Sequence, residues 1–134
     1  MLVNFLFKNC RSFYQENIFS MQAVKDTELR EINTFSVDSK LMPKDENEFI
    51  KSAVIFGGNA SGKSNVLKAL AYMKNVLLMS ASQFPIVATN ETFAFYENAQ
   101  NEESTYEVEI IQNATYYKYG FTLLKGMVKS EWLE

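Results

Sequence analysis

With 134 residues, 47% of them apolar and 14% aromatic, the chain can build one domain with a real core, and its net charge is −3. It has no histidine and a single cysteine, which excludes His-based metal sites, His-dependent triads and any intrachain disulfide. The acidic balance argues against a nucleic-acid module. No stretch reaches transmembrane length or reads as a signal peptide, so a reducing, cytoplasmic setting is expected.

Taken in order, residues 1–24 read as a β-hairpin. Met1 to Asn9 alternates Val3, Phe5 and Phe7 with Leu2 and Leu6, apolar on both faces and therefore buried. Asn9-Cys10-Arg11-Ser12 makes a turn, and Phe13 to Val24 returns as a second strand through Ile18, Phe19 and Met21. Cys10 reads as a small buried hydrophobe. Residues 25–52 are polar and carry Pro43 and Asp45-Glu46-Asn47-Glu48. They read as a surface loop with one short strand at Thr34 to Val37.

Residues 53–82 form a strand–loop–helix unit. Ala53-Val54-Ile55-Phe56 has the length and branching of a buried strand. Gly57-x-x-x-x-Gly62-Lys63-Ser64 then follows, the full Walker A spacing in its required context. A polyphosphate packs several negative charges into a small volume, and backbone N–H groups surround it only where side chains stay away. Gly57 and Gly62 supply that clearance, and the N–H groups from Gly58 through Asn59, Ala60 and Ser61 to Ser64 would form an anion nest at a helix N-terminus. Lys63 would approach the β- and γ-phosphates, and Ser64 would give its hydroxyl to Mg²⁺. Asn59 is expected to stiffen the loop through a side-chain-to-backbone bond. The helix should run from about Gly62 to Ser80, with Val66, Leu70, Met73 and Leu77 on one stripe widened by Leu67, Ala71 and Leu78. Phe84-Pro85 requires extended backbone, so the helix ends before it. Gly57 to Asn90 holds three lysines and no acid, whereas Glu91 to Glu134 holds eight acids and three lysines. The acid-free part is the one expected to face phosphates.

Residues 91–134 change period. Glu91 to Tyr96 reads as a strand and Glu97 to Glu103 as a polar loop. Tyr106, Val108 and Ile110 alternate with Glu107 and Glu109, and Tyr117, Tyr119, Phe121 and Leu123 alternate again after Asn113-Ala114. After Lys125-Gly126, Met127 to Leu133 forms a last strand, giving an antiparallel meander. Its aromatic ladder reads as a packed sheet face, because acidic residues share the same strands.

These residues carry a resemblance. Asn9-Cys10-Arg11-Ser12-Phe13 followed by Gly57-Gly58-Asn59-Ala60-Ser61-Gly62-Lys63-Ser64-Asn65-Val66-Leu67 resembles the opening of ABC-type ATPase heads of the SMC, RecF and OLD group. Ser104 to Ile110, Tyr117-Lys118-Tyr119-Gly120-Phe121 and Ser130-Glu131-Trp132-Leu133 look more narrowly like bacterial AAA-family ATP-binding proteins of abortive-infection and other phage-defence loci. The resemblance implies that Asn65 belongs to the phosphate-binding residues and that Arg11 is a phosphate or ribose contact; taken alone, Arg11 is equally a solvent-facing turn residue. Cys10 stands where the group usually has an aromatic, and Ala60 where it commonly has glycine.

Other family parts are missing from the sequence. No apolar run ending in Asp-Glu follows the loop, no glycine-rich signature follows Gly62, and the switch histidine has no counterpart. Neither Gln100 nor Gln112 is a secure Q-loop match, and no catalytic residue is identified. The expectation is therefore an α/β fold: the N-terminal lobe of a P-loop NTPase head, with an N-terminal hairpin, one long P-loop helix and a C-terminal meander, the C-terminal half of the head being absent. It would bind ATP and Mg²⁺. By resemblance, the whole head would hydrolyse ATP as a homodimer and serve a nuclease or toxin partner, without a membrane role and without direct nucleic-acid contact by this segment. The alternative is a non-catalytic P-loop scaffold or regulatory interaction module.

Overall fold

Period-two alternation of large apolar residues puts β structure at both ends of the chain, and pairing between those ends builds the main sheet. The computed structural model describes residues 1–25, 28–37, 47–79 and 91–134. In chain order the elements are β1 (Leu2–Lys8), β2 (Asn17–Ser20), α1 (Arg30–Asn33), β3 (Thr34–Ser36), β4 (Glu48–Ile50), α2 (Lys63–Met79), a 3₁₀ turn (Glu97–Asn101), β5 (Ser104–Gln112), β6 (Thr115–Leu124) and β7 (Met127–Leu133). Five strands form an antiparallel sheet in the order β2-β1-β5-β6-β7. The expected hairpin is present with its return strand shortened from Phe13–Val24 to Asn17–Ser20, and it joins the meander of β5, β6 and β7 through the β1–β5 pair.

Helix α2 covers one face of this sheet. Ala69, Met73 and Val76 are buried against Phe5, Phe7, Tyr106, Phe121 and Leu123. The buried stripe is thus centred on 69, 73 and 76, whereas Leu67, Leu77 and Leu78 are exposed. Val66, Leu70 and Met73 of the expected stripe do pack on this core, whereas Leu77 does not: the helix is apolar around much of its girth, so periodicity alone leaves its exact rotation open. The sheet chose the face with the small Ala69, which lets the helix lie close to the aromatic side chains beneath it.

A second correction concerns β1. A bulge between Leu2 and Asn4 breaks its register against Ile110 and Glu109 of β5. The extra residue moves Leu2 to the side of Phe5 and Phe7, against the helix-covered core, and sends Val3 into a separate cluster with Phe49 and Ile111. That cluster is roofed by β3 and β4, which pair as a small antiparallel sheet. Residues 25–52 are therefore more than a surface loop: β3 was expected, β4 was not, and Phe49 is completely buried. Arg30 ties the roof together by donating to both carboxylate oxygens of Glu48, the Nε bond measuring 2.8 Å, while the Thr34 hydroxyl donates to the same group at 2.7 Å.

Two expected strands do not form. Ala53 to Phe56 has no ladder partner, and Val54 and Phe56 are 71% and 88% exposed. A strand exists only through its neighbours, and among the described residues none pairs with this segment. Glu91 to Tyr96 is likewise irregular, because its backbone groups are spent on the Asn9–Phe13 turn instead of a ladder. The expected helix end at Ser80 to Pro85, together with Pro43, Asp45 and Glu46, lies outside the described residues. Among the described residues, no helix is long and apolar enough to cross a membrane.

Candidate functional site

The loop before α2 owes its shape to turn chemistry. The Ser61 N–H donates to the Gly58 carbonyl at 3.3 Å, closing a tight turn in which Ala60 takes φ 62°. A left-handed position of this kind favours glycine, which explains the residue usual in similar loops; the alanine here carries a strain of about 1 kcal/mol. Gly62 follows at φ 92°. A side chain at Gly62 would press on Ser12 Oγ at 2.9 Å and the Phe13 ring at 3.3 Å, so this glycine is fixed by conformation and by close approach. The change of φ sign through Ala60, Ser61 and Gly62 is the backbone pattern of an anion nest.

The helix begins immediately afterwards. The Asn65 N–H closes on the Gly62 carbonyl at 2.8 Å, while among the described residues no hydrogen bond occupies the N–H groups of Gly62, Lys63 and Ser64. No acidic side chain stands in the first turn to neutralise the positive end of the helix. The Lys63 ammonium folds back on its own loop and donates to the carbonyls of Gly57 and Gly58 at 2.7 and 2.5 Å, with Ser61 Oγ at 3.4 Å. An entering anion would exchange those neutral acceptors for a charged one.

The Asn9–Phe13 turn forms the floor. Phe13 packs edge-on against Phe7 with ring centroids 4.9 Å apart, and Asn65 Nδ2 donates to Ser12 Oγ at 3.0 Å, tying the turn to the first turn of α2. Arg11, at φ 53°, points its guanidinium to Glu91 at 2.8 Å. Its own N–H donates to the Glu91 carbonyl at 3.0 Å, and its carbonyl accepts the Ala94 N–H at 2.8 Å. The Arg11–Glu91 ion pair is solvent-accessible and so is cheap to rearrange.

Together these pieces enclose a cavity of about 430 Å³ lined by Arg11, Ser12, Ala60 to Asn65, Glu91, Thr92, Ala94 and Phe95. Ala60, Ser61, Gly62, Lys63, Ser64, Asn65 and Arg11 are thus brought together as the sequence suggested. Gly57, Gly58 and Asn59 stand outside the lining, and among the described residues the expected bond from the Asn59 side chain to the backbone is not found. Glu91 is an acid on the rim of a site expected to be acid-free on its own side; it arrives from the following, acidic third of the chain. Among the described residues, no group of three or more His, Cys, Asp or Glu side chains could hold a metal ion. A divalent cation here would depend on the Ser64 hydroxyl, the ligand's own oxygens and water, a donor set that suits Mg²⁺.

Asn9 is the site residue that sequence reasoning missed. Fully buried at φ 49°, it donates from Nδ2 to the carbonyls of Ala99 and Glu102 at 2.8 and 3.1 Å, and its Oδ1 accepts the Phe93 N–H at 3.1 Å. Ser104 Oγ donates to its main-chain oxygen at 2.7 Å. It pins the 91–95 wall of the cavity to the sheet. The only signal in the sequence was an Asn opening a turn. Beside it, Cys10 is buried as expected, and burial pushes its thiol pKa up.

Residues 52–134 match the family described as "AAA domain, putative AbiEii toxin, Type IV TA system". A search of curated proteins finds no match to the chain.

Proposed function

The chain belongs to this AAA-domain family, and from that premise we propose that the cavity at the start of α2 binds the triphosphate of ATP together with Mg²⁺. The single observation behind this reading is the open nest: unoccupied N–H groups at Gly62, Lys63 and Ser64, positive φ at Ala60 and Gly62, and an acid-free helix start inside one concavity. Lys63 would leave the carbonyls of Gly57 and Gly58 for the β- and γ-phosphates. Ser64 would give its hydroxyl to Mg²⁺, which supplies charge neutralisation when bound. Arg11 would turn from Glu91 to a phosphate or the ribose.

Hydrolysis needs a carboxylate that positions water, and no apolar run ending in Asp-Glu follows the loop in the sequence; among the described residues the acid lining the cavity is Glu91, which stands at its rim. The reading is therefore binding without turnover by this chain alone. In the wider setting, an ABC/SMC-like ATPase acting in the cytoplasm as a homodimer, with a nuclease or toxin partner in phage defence, extends the resemblance. The exposed Val54 and Phe56 favour a second reading, a P-loop interaction module whose apolar segment is covered by another protein.

Calorimetry with Mg-ATP on the wild type and Lys63→Ala tests the first reading. Weak, Lys63-dependent binding is expected, with no phosphate release. Equal, non-zero binding by both proteins would remove the loop as the site, and robust Lys63-dependent phosphate release would show that a water-positioning acid is present.

A further inference from the structure

Phe95 lines the same cavity as Arg11, Lys63 and Ser64, yet its side chain is 82% exposed. A large ring left open at the mouth of a polar concavity has a face free to take a flat apolar partner. It is also held in place. On its N-terminal side, the Ala94 N–H donates to the Arg11 carbonyl at 2.8 Å and the Phe93 N–H to buried Asn9 at 3.1 Å. Its ring meets Phe93 edge-on at 5.6 Å and 68°, Phe93 rests on Tyr14 at 5.4 Å, and Tyr14 meets Tyr96 at 5.3 Å. The Tyr14 hydroxyl is fixed in turn by the Glu102 carboxylate at 2.9 and 3.0 Å. Phe95 thus ends a braced chain of rings, and bracing of this kind is what a stacking platform needs to bind without a large ordering cost.

We propose that Phe95 is the base-stacking residue of this site, so that it takes a purine nucleoside triphosphate in preference to a bare polyphosphate; the inference rests on the phosphate-binding reading above. A phenyl ring has no hydrogen-bonding group with which to read a base edge. It ranks bases by the size of their π-face, purines above pyrimidines, and leaves adenine and guanine nearly equal.

The test is an NMR titration of the whole chain with Mg-ATP, Mg-GTP, Mg-CTP and Mg-tripolyphosphate, for the wild type, Phe95→Ala, Phe95→Leu and Phe95→Tyr. Because the side chain is mostly in solvent, all three variants should fold, and Leu keeps apolar bulk without a ring. The expected result is about a tenfold loss of ATP and GTP affinity in the Ala and Leu variants. Tyr should retain affinity, tripolyphosphate binding should not change, and the Phe95 ring protons should shift upfield with ATP but not with tripolyphosphate. Equal weakening of ATP and tripolyphosphate by Phe95→Ala would overturn the proposal, as would no weakening at all. If binding stays Lys63-dependent in that case, only the stacking role falls. A wild type that binds neither ATP nor tripolyphosphate would overturn the phosphate site, and the stacking role with it.

Discussion

Replacing Asn9 with alanine removes three hydrogen bonds at a fully buried position. The losses are unequal. The Ala99 carbonyl keeps the Glu102 N–H at 3.2 Å, whereas the Glu102 carbonyl and the Phe93 N–H lose the partners that Asn9 gave them. Two abandoned polar groups cost about 1–3 kcal/mol each. Alanine at φ 49° adds about 1 kcal/mol that asparagine largely avoids. The sum is about 5 kcal/mol, a large share of the stability of a domain this size. With a urea slope of about 2 kcal/mol per M, the midpoint should fall by about 2.5 M. Asn9→Gly separates the parts, since glycine accepts the backbone angle and should recover only about 1 kcal/mol. Urea unfolding followed by circular dichroism measures all three proteins. A fall below about 0.5 M for Asn9→Ala would refute the reasoning, because solvent would then be satisfying those groups at no cost.

Two further outcomes follow from individual contacts. A Cβ at Gly120 would lie 2.3 Å from Cζ2 of Trp132 on β7, so Gly120→Ala must expel an indole whose Nε1 donates to Glu107 at 2.9 Å. Trp132 is the only tryptophan, so a red-shifted emission maximum and a loss of about 1–3 kcal/mol should accompany the change, and unaltered emission would refute the clash. Donation from Arg30, then from Thr34, holds the Glu48 carboxyl below its ordinary 4.5. A lowered folded-state pKa stabilises fully above the ordinary value and fades as pH falls through the folded one. The urea-midpoint gap between the wild type and Glu48→Gln should therefore narrow in acid, whereas a constant gap would show that the ion pair contributes nothing pH-dependent.

Much of the sheet was legible because alternation is a local property. Met127 to Leu133 appears over the expected span, and Met1 to Asn9 is off by one residue at each end. The turn before α2 and the start of that helix were legible for a similar reason: the glycine spacing marks both. Features that depend on distant partners were hidden. Ala53 to Phe56 has the composition of a strand, but composition cannot supply a neighbour. The rotation of α2 was decided by the aromatic floor beneath Ala69 and Met73, and β4 by the burial of Phe49 in a three-residue strand too short to show a period. Asn9 looked like any turn former, since its partners Phe93, Ala99 and Glu102 lie far along the chain. Phe95 was obscured by the strand-like pattern of Glu91 to Tyr96.

The place of β1 in the sheet has a consequence for how the protein is made. Phe5 faces Phe19 on one side and Val108 on the other, so one flank can pair as soon as the hairpin leaves the ribosome and the other must wait until Val108 has been made. Pairings that span such distances close slowly. The meander, whose partners are adjacent in sequence, should gain protection first in pulse-labelled refolding, with the β1 amides following; simultaneous protection would contradict that order. Until β5 arrives, Phe5 and Phe7 lack one of their neighbours, and over this interval the newborn chain is exposed to sticking to others.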